Sequence, residues 1–171
     1  MAVDTHLIVK KYLENHSLVE SNIISFNNFI EKRMQEIVDE ISETITEDEF
    51  QINLGKIKVG KPKVIEAEGS SSLIMPYEAR LRNLTYSATV TLELTVRKDD
   101  QVDSEIVEIG KIPIMVGSNR CNTSGMSKEE LIENYNDPLD TGGYFIIKGN
   151  ERVMVMAEDL AENQQIGRAH V

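Results

Sequence analysis

The stretch that most constrains this chain is Asp137–Met156, DPLDTGGYFIIKGNERVMVM. Two apolar runs, Tyr144–Lys148 and Arg152–Met156, flank Gly149-Asn150, and a Gly-Asn pair between strand-like runs predicts a tight β-hairpin. Gly149 takes a positive φ without a Cβ clash, and Asn150 tolerates a left-handed backbone better than most residues. Pro138 and Gly142-Gly143 turn the chain into the first strand. Alternation puts Phe145 and Ile147 on one face and Tyr144, Ile146 and Lys148 on the other. The second strand is continuously apolar (Val153, Met154, Val155, Met156), a pattern expected of a hairpin buried inside a domain. The stretch is a structural centre and carries no chemistry of its own.

Upstream, Thr5 can cap a short helix through about Asn15, with Leu7, Ile8, Tyr12 and Leu13 inward. A longer helix is expected over Leu18–Ile45. Its apolar stripe is Ile23, Phe26, Ile30, Ile37, Ile41 and Ile45, widened by Phe29, Met34 and Val38. From Glu49 the period falls to two: Phe50, Ile52 and Leu54 alternate with polar residues, Gly55 interrupts, and Ile57 and Val59 resume. Gly60-Lys61-Pro62 marks a connection and Glu66–Ser72 a polar loop. Tyr77–Asn83 and Ser87–Arg97 read as strands, Lys98–Gln101 as a hairpin tip, and Glu105–Val116 as the returning strand. Ser127 and Glu130 form a capping box for a short helix. The fold class is therefore α+β: N-terminal helices packed on a mostly antiparallel β-sheet, with a C-terminal β-hairpin. No repeat, low-complexity tract or linker marks a second domain.

A net charge of −11 over 171 residues argues against free-standing, non-specific nucleic-acid binding, which needs clustered Lys and Arg, although a local basic patch could survive. The single cysteine, Cys121, excludes an internal disulfide and a Cys-rich zinc site and fits a reducing cytoplasm. The first residues lack the apolar core of a signal peptide, and no run approaches the roughly 20 apolar residues of a membrane span. A soluble, cytoplasmic protein is expected.

Each candidate for chemistry has a plainer reading beside it. His6 and His16 lie in or beside the first helices without a His or Cys at ligand spacing, which favours exposed helix residues over a metal site. Cys121 has no evident base within reach, so a packed thiol is favoured over a nucleophile. Asp137 and Asp140, like Asp99-Asp100, could hold Mg²⁺ with phosphate oxygens, but Asp beside Pro or Gly is ordinary turn chemistry. Thr141-Gly142-Gly143 is followed by a strand, not by Lys-Ser/Thr and a helix, which rules against a phosphate-cradling loop. Arg80 and Arg82, alternating on an expected strand, would face one side. With Arg120, and with Lys111, Lys148 and Arg152 near strand ends, they either pair with surplus carboxylates or form a strip facing nucleic acid or a neighbouring subunit. No catalytic nucleophile–base–orienter set and no cofactor or metal site is expected in these residues.

Several segments also resemble a known family. Ser25–Ile30 (SFNNFI), Pro76–Ala88 (PYEARLRNLTYSA), Ile109–Val116 (IGKIPIMV) followed by Ser118 and Cys121, and Asp137–Val153 resemble, in order, signature segments of the second-largest subunit of cellular RNA polymerases in its archaeal and eukaryotic form. Thr89 stands where the family usually has Pro, and Lys148 where Asn is common. The short N-terminus and brief loops resemble the archaeal form in which this polypeptide is split in two, here its N-terminal half, B″.

The resemblance implies that residues 1–164 are the first part of the protrusion domain, an upper wall of the DNA cleft, whose inserted lobe and return segment are absent. It implies a non-catalytic portion of a nucleotidyltransferase whose Mg²⁺ is held by another subunit. Its partners would be other polymerase subunits, the DNA template and archaeal transcription factor B. Arg80, Arg82 and Arg120 would support the inner face or a subunit contact. The alternative is a structural protein-interaction domain unrelated to transcription. Gln165–Val171 can be encoded by the start of a common sequencing adapter and is read as a non-native tail; amplifying the source locus through those codons tests this.

Overall fold

The computed structural model describes residues 5–42, 46–47, 50–98, 101–155 and 157–159. The expected tail over 165–171 and the Asp99-Asp100 tip lie outside them; of the helix-like start that the sequence suggests over Ala157–Asn163, residues 157–159 are described and are not helical, and 160–163 lie outside.

The frame is an antiparallel sheet in the order β1-β2-β5-β6, built from Thr46–Glu47, Phe50–Val59, Ser87–Lys98 and Gln101–Pro113. Alternation buries Ala88, Val90 and Leu92 of β5 and Val59 of β2 on one face. Gly55 marks a real break, because the β2–β5 register shifts between Leu54 and Ile57. Such a bulge leaves ladder groups unpaired. Gln35 restores them: its Nε2 donates to the Gly55 carbonyl at 3.2 Å, and its Oε1 accepts from the Ile57 amide at 3.0 Å.

Gln35 belongs to α3 (Met34–Ser42), the last described part of the helix expected over Leu18–Ile45; residues 43–45, with the expected end and Ile45, lie outside the described residues. The helix is interrupted: α2 covers Glu20–Asn28, a π-helical turn covers Phe29–Arg33, and α3 follows. A π turn inserts one extra residue and rotates everything downstream. Hence the buried stripe runs Phe26, Ile30, Val38, with Ile23 and Met34 packed beside it, while Ile37 and Ile41 are about half exposed. Their inward placement is corrected by that one-residue phase shift.

Further departures concern elements that local pattern does not distinguish. Tyr77–Asn83 is not a strand; Pro76–Leu81 is helix α4, with Pro76 at its first turn, where the missing N–H costs nothing. It ends in a Schellman motif, Leu84 N to Ala79 O and Asn83 N to Arg80 O, with Asn83 at φ 52°. The polar loop over Glu66–Ser72 is the turn of a small hairpin between β3 (Lys63–Ile65) and β4 (Ser71–Leu73). Helix α1 (Thr5–Asn15) forms as expected, yet Leu7, Ile8, Tyr12 and Leu13 are exposed, because periodicity reports an apolar face and not what covers it. Helix α5 (Lys128–Glu133) carries the expected Ser127/Glu130 capping box.

The C-terminal hairpin exists, one residue out of phase with its sequence signal. β7 (Phe145–Ile147) pairs with β8 (Asn150–Arg152), and the turn residues are Lys148 and Gly149, at φ 49° and 77°. A two-residue turn with both central φ positive matches the strand twist, which places Gly at the second position. A Cβ on Gly149 would sit 2.7 Å from Asn83 Oδ1, so α4's cap and the turn lock together. Strand β7 threads between two loops: Tyr86 N donates to Ile146 O, and Val116 N to Tyr144 O, each at 2.9 Å. Ile146 is fully buried there. The expected second strand does not extend, since Val153, Met154 and Val155 lie exposed beyond β8; Met156 is outside the described residues.

Candidate nucleic-acid and subunit interface

Behind the hairpin lies a buried polar hub. Tyr86, fully buried, accepts from the Asn122 amide at 2.8 Å and lies 3.3 Å from Cys121 Sγ, which in turn reaches Thr123 Oγ1 at 3.0 Å. Cys121 is thus a packed thiol. Asn122 Nδ2 donates to the carbonyls of Pro62 (2.9 Å) and Ile74 (2.7 Å), joining loops remote in sequence. Sequence reasoning misses Asn122: an Asn in a loop looks like turn chemistry until its neighbours are known.

Arg80 and Arg82 do not share a strand face. With α4 a helix, residues two apart point in different directions. Arg80 Nη2 donates to Tyr144 Oη at 3.1 Å, Tyr144 donates to Asp140, and Arg80 also meets Glu151 at 3.2 Å. Arg82 grips both oxygens of Glu66 (2.8 and 2.9 Å) and reaches Glu78 at 2.7 Å. The Arg82 guanidinium holds the Glu66 carboxyl below its usual range. Both arginines are therefore ion-paired within the chain.

Arg120 differs. It is half-buried and, among the described residues, has no ion pair. Its loop is pinned on either side: Asn119 N bonds Asn27 Oδ1, Asn119 Nδ2 bonds Glu31, and Asn122 holds the hub. Asp137 and Asp140 are turn residues, accepting from the amides of Leu139 and Gly142. The Gly142-Gly143 backbone is packed against Val116 and Val19, which leaves no room there for a phosphate. His16 is exposed beside Tyr12 and Glu20. Among the described residues no group of three or more His, Cys, Asp or Glu is placed to hold a metal, and no helix is long and apolar enough to cross a membrane.

An open apolar groove of about 650 Å³ runs between α2 with its π turn and the hairpin, lined by Phe26, Phe29, Met115, Phe145, Ile147 and Met154 among others. Phe145 and Ile147 share this side, as alternation requires. Phe26 meets Phe145 edge-on at 5.4 Å, a contact worth roughly 0.5–1.5 kcal/mol beyond burial.

The family model described as RNA polymerase beta subunit matches residues 17–163. The chain belongs to that family. It is 45% identical to the DNA-directed RNA polymerase subunit Rpo2N of Methanocaldococcus jannaschii, over 92% of this chain and 33% of the relative. Rpo2N of Halobacterium salinarum is 42% identical over 94% of the chain and 33% of the relative. Rpo2 of Saccharolobus solfataricus is 42% identical over 92% of the chain but 14% of its own length. This polymerase beta-subunit chain thus spans about a third of the length of its Rpo2N relatives or less.

The beta-subunit core has a pH signature. Burial first, then the neighbouring Cys121, pushes the Tyr86 phenol well above its usual range; burial and the bond to Asp140 do the same for Tyr144. A folded-state pKa above the unfolded value of about 10 stabilises fully below that pH and is lost as pH rises beyond it. The urea midpoint should therefore hold level to about pH 9 and fall above about pH 10. The Tyr86→Phe/Tyr144→Phe double variant, though less stable at neutral pH, should fall less; an equal slope would refute the assignment.

Proposed function

We propose that this chain is part of the N-terminal half (B″) of the second-largest subunit of an archaeal-type DNA-directed RNA polymerase, working in the cytoplasm during transcription. Residues 1–164 form the first part of the protrusion that walls the DNA cleft. The chain shapes that cleft, while nucleotidyl transfer and its Mg²⁺ belong to other subunits. Other polymerase subunits, the DNA template and archaeal transcription factor B are its partners.

One observation carries the passive reading. The segments that resemble the family are spent on packing: Tyr86, Cys121 and Ile146 are fully buried, and Gly149 seats against the α4 cap. The exposed apolar faces of α1 and the groove fit a piece whose remaining surface is covered by the rest of a longer subunit. The ordered match over residues 17–163 favours this over an interaction domain unrelated to transcription.

Of the three arginines, Arg120 is the one whose charge no described carboxylate offsets, so it is assigned to the inner face; Arg80 and Arg82 support that face by holding α4 and the hairpin. A photo-crosslinking residue at position 120 of the full-length subunit, in assembled polymerase on promoter DNA, should label the DNA. Arg120→Glu should shorten open-complex lifetime by roughly tenfold or more, the scale of one charged hydrogen bond. If no exposed position of the chain labels DNA in an assembled enzyme, the cleft-wall reading fails.

A further inference from the structure

In a chain with 29 acidic residues, the segment Gly55–Ile65 (GKIKVGKPKVI) contains lysines and no carboxylate. Lys56, Lys58, Lys61 and Lys63 are all exposed, while Val59 and Pro62 between them are buried. The inward residues anchor the strip and the outward ones are left charged.

The sheet adds a further lysine. Lys58 is paired with Thr91, and Lys111 with Thr89. Register partners lie on one face, and residues two apart on a strand lie on one face, so Lys58 and Lys111 flank β5 on the same side. That side is opposite the buried Ala88, Val90 and Leu92. Glu108, partner of Thr91, and Glu93 are the carboxylates on this face. Among the described residues, none of these lysines makes an ion pair. The strip also adjoins the Arg120 loop, because Asn122 donates to the carbonyl of Pro62, between Lys61 and Lys63.

Resting on the cleft-wall reading, we infer that Lys56, Lys58, Lys61, Lys63 and Lys111 form a contact surface for the phosphate backbone of DNA, continuous with Arg120. Lysine is a point charge on a flexible stem, suited to phosphates and poor at reading bases. No arginine fork stands on this strip to read a guanine edge. The contact is therefore independent of sequence. It turns a lysine-rich side of an acidic chain toward the polyanion, with five lysines set against the two carboxylates, Glu93 and Glu108, that share the sheet face.

The test uses assembled polymerase carrying the full-length subunit, with duplex DNA of two unrelated sequences titrated across a range of KCl. The fourfold variant Lys58→Gln, Lys61→Gln, Lys63→Gln, Lys111→Gln should weaken binding equally for both sequences. It should also flatten the plot of log affinity against log salt by about 0.9 for each phosphate no longer neutralised. Lys128→Gln, on exposed α5, should change neither, and the fourfold Lys→Arg variant should behave as the parent. Unchanged affinity and slope in the fourfold Gln variant would overturn the inference. If position 120 still labels DNA, the cleft-wall reading survives that result; if it does not, both fall. Failure of the Gln variant to assemble, with the Arg variant assembling normally, would instead assign the strip to an acidic protein neighbour and overturn the DNA assignment.

Discussion

Gly142→Ala will cost the fold about 3 kcal/mol or more and disconnect the C-terminal hairpin from the Val116 loop. Gly142 sits at φ 70°, where an alanine is strained before any contact is counted. A Cβ there would lie 2.4 Å from the Val116 carbonyl oxygen and 2.9 Å from its carbon. Both obstacles are backbone, so no side chain can rotate away, and the Gly143 N to Val116 O bond at 2.9 Å would have to open. Val116 also donates to Tyr144 O, so the damage passes directly to β7. Urea unfolding should show the loss as a lowered midpoint. Amide exchange should show it first at Val116, Gly143 and Tyr86. An unchanged midpoint would mean the chain reroutes around the site, which the packing on both sides of Gly142 opposes.

The same residues explain how much can be read in advance. The period-two pattern over Phe50–Val59 and Ser87–Arg97 announces the sheet, and Gly55 its bulge, because a half-buried strand writes its faces directly into the sequence. Ser127 and Glu130 announce the capping box for the same reason: a local interaction has a local signature. The hairpin is legible, but its turn slips by one, since Gly149-Asn150 and Lys148-Gly149 are equally turn-like until strand twist chooses between them. The π turn at Phe29–Arg33 has no sequence signature here, and its extra residue moves burial from Ile37 to Val38. Pro76, as a helix start, outweighs the alternation after it. Correcting that one element separates Arg80 from Arg82 and gives each an internal carboxylate. In the candidate site, the sequence offers Arg120 only as one cation among several; its lack of an ion pair among the described residues, like Asn122 and the groove, depends on loops meeting across the fold, which spacing cannot report.

That long-range meeting underlies the second large effect. Asn122→Leu should destabilise the fold by roughly 2–5 kcal/mol, because it strips the donor from two carbonyls at once, each a buried loss of about 1–3 kcal/mol. Pro62 and Ile74 are both buried, and Pro62 O and Ile74 O receive Asn122 Nδ2 at 2.9 and 2.7 Å. The leucine restores volume but no hydrogen bond, so the change isolates polar satisfaction from cavity formation. Asn122 Oδ1 is buried without a protein partner, so the amide's value lies in its NH₂ group. Asn122→Asp should therefore be at least as damaging near neutral pH, since it would set a buried carboxylate against two carbonyl oxygens. The aspartate variant should regain stability as pH falls and its carboxyl protonates, while the leucine variant should not. Parallel urea titrations at pH 5 and pH 8 distinguish the two, and a leucine variant within about 0.5 kcal/mol of the parent would show that Asn122 does not hold the Arg120 loop. Because that loop also borders the lysine strip, loss of Asn122 should loosen Pro62 and Arg120 together. In assembled enzyme, the yield of DNA labelling from position 120 should then drop even where the subunit still incorporates.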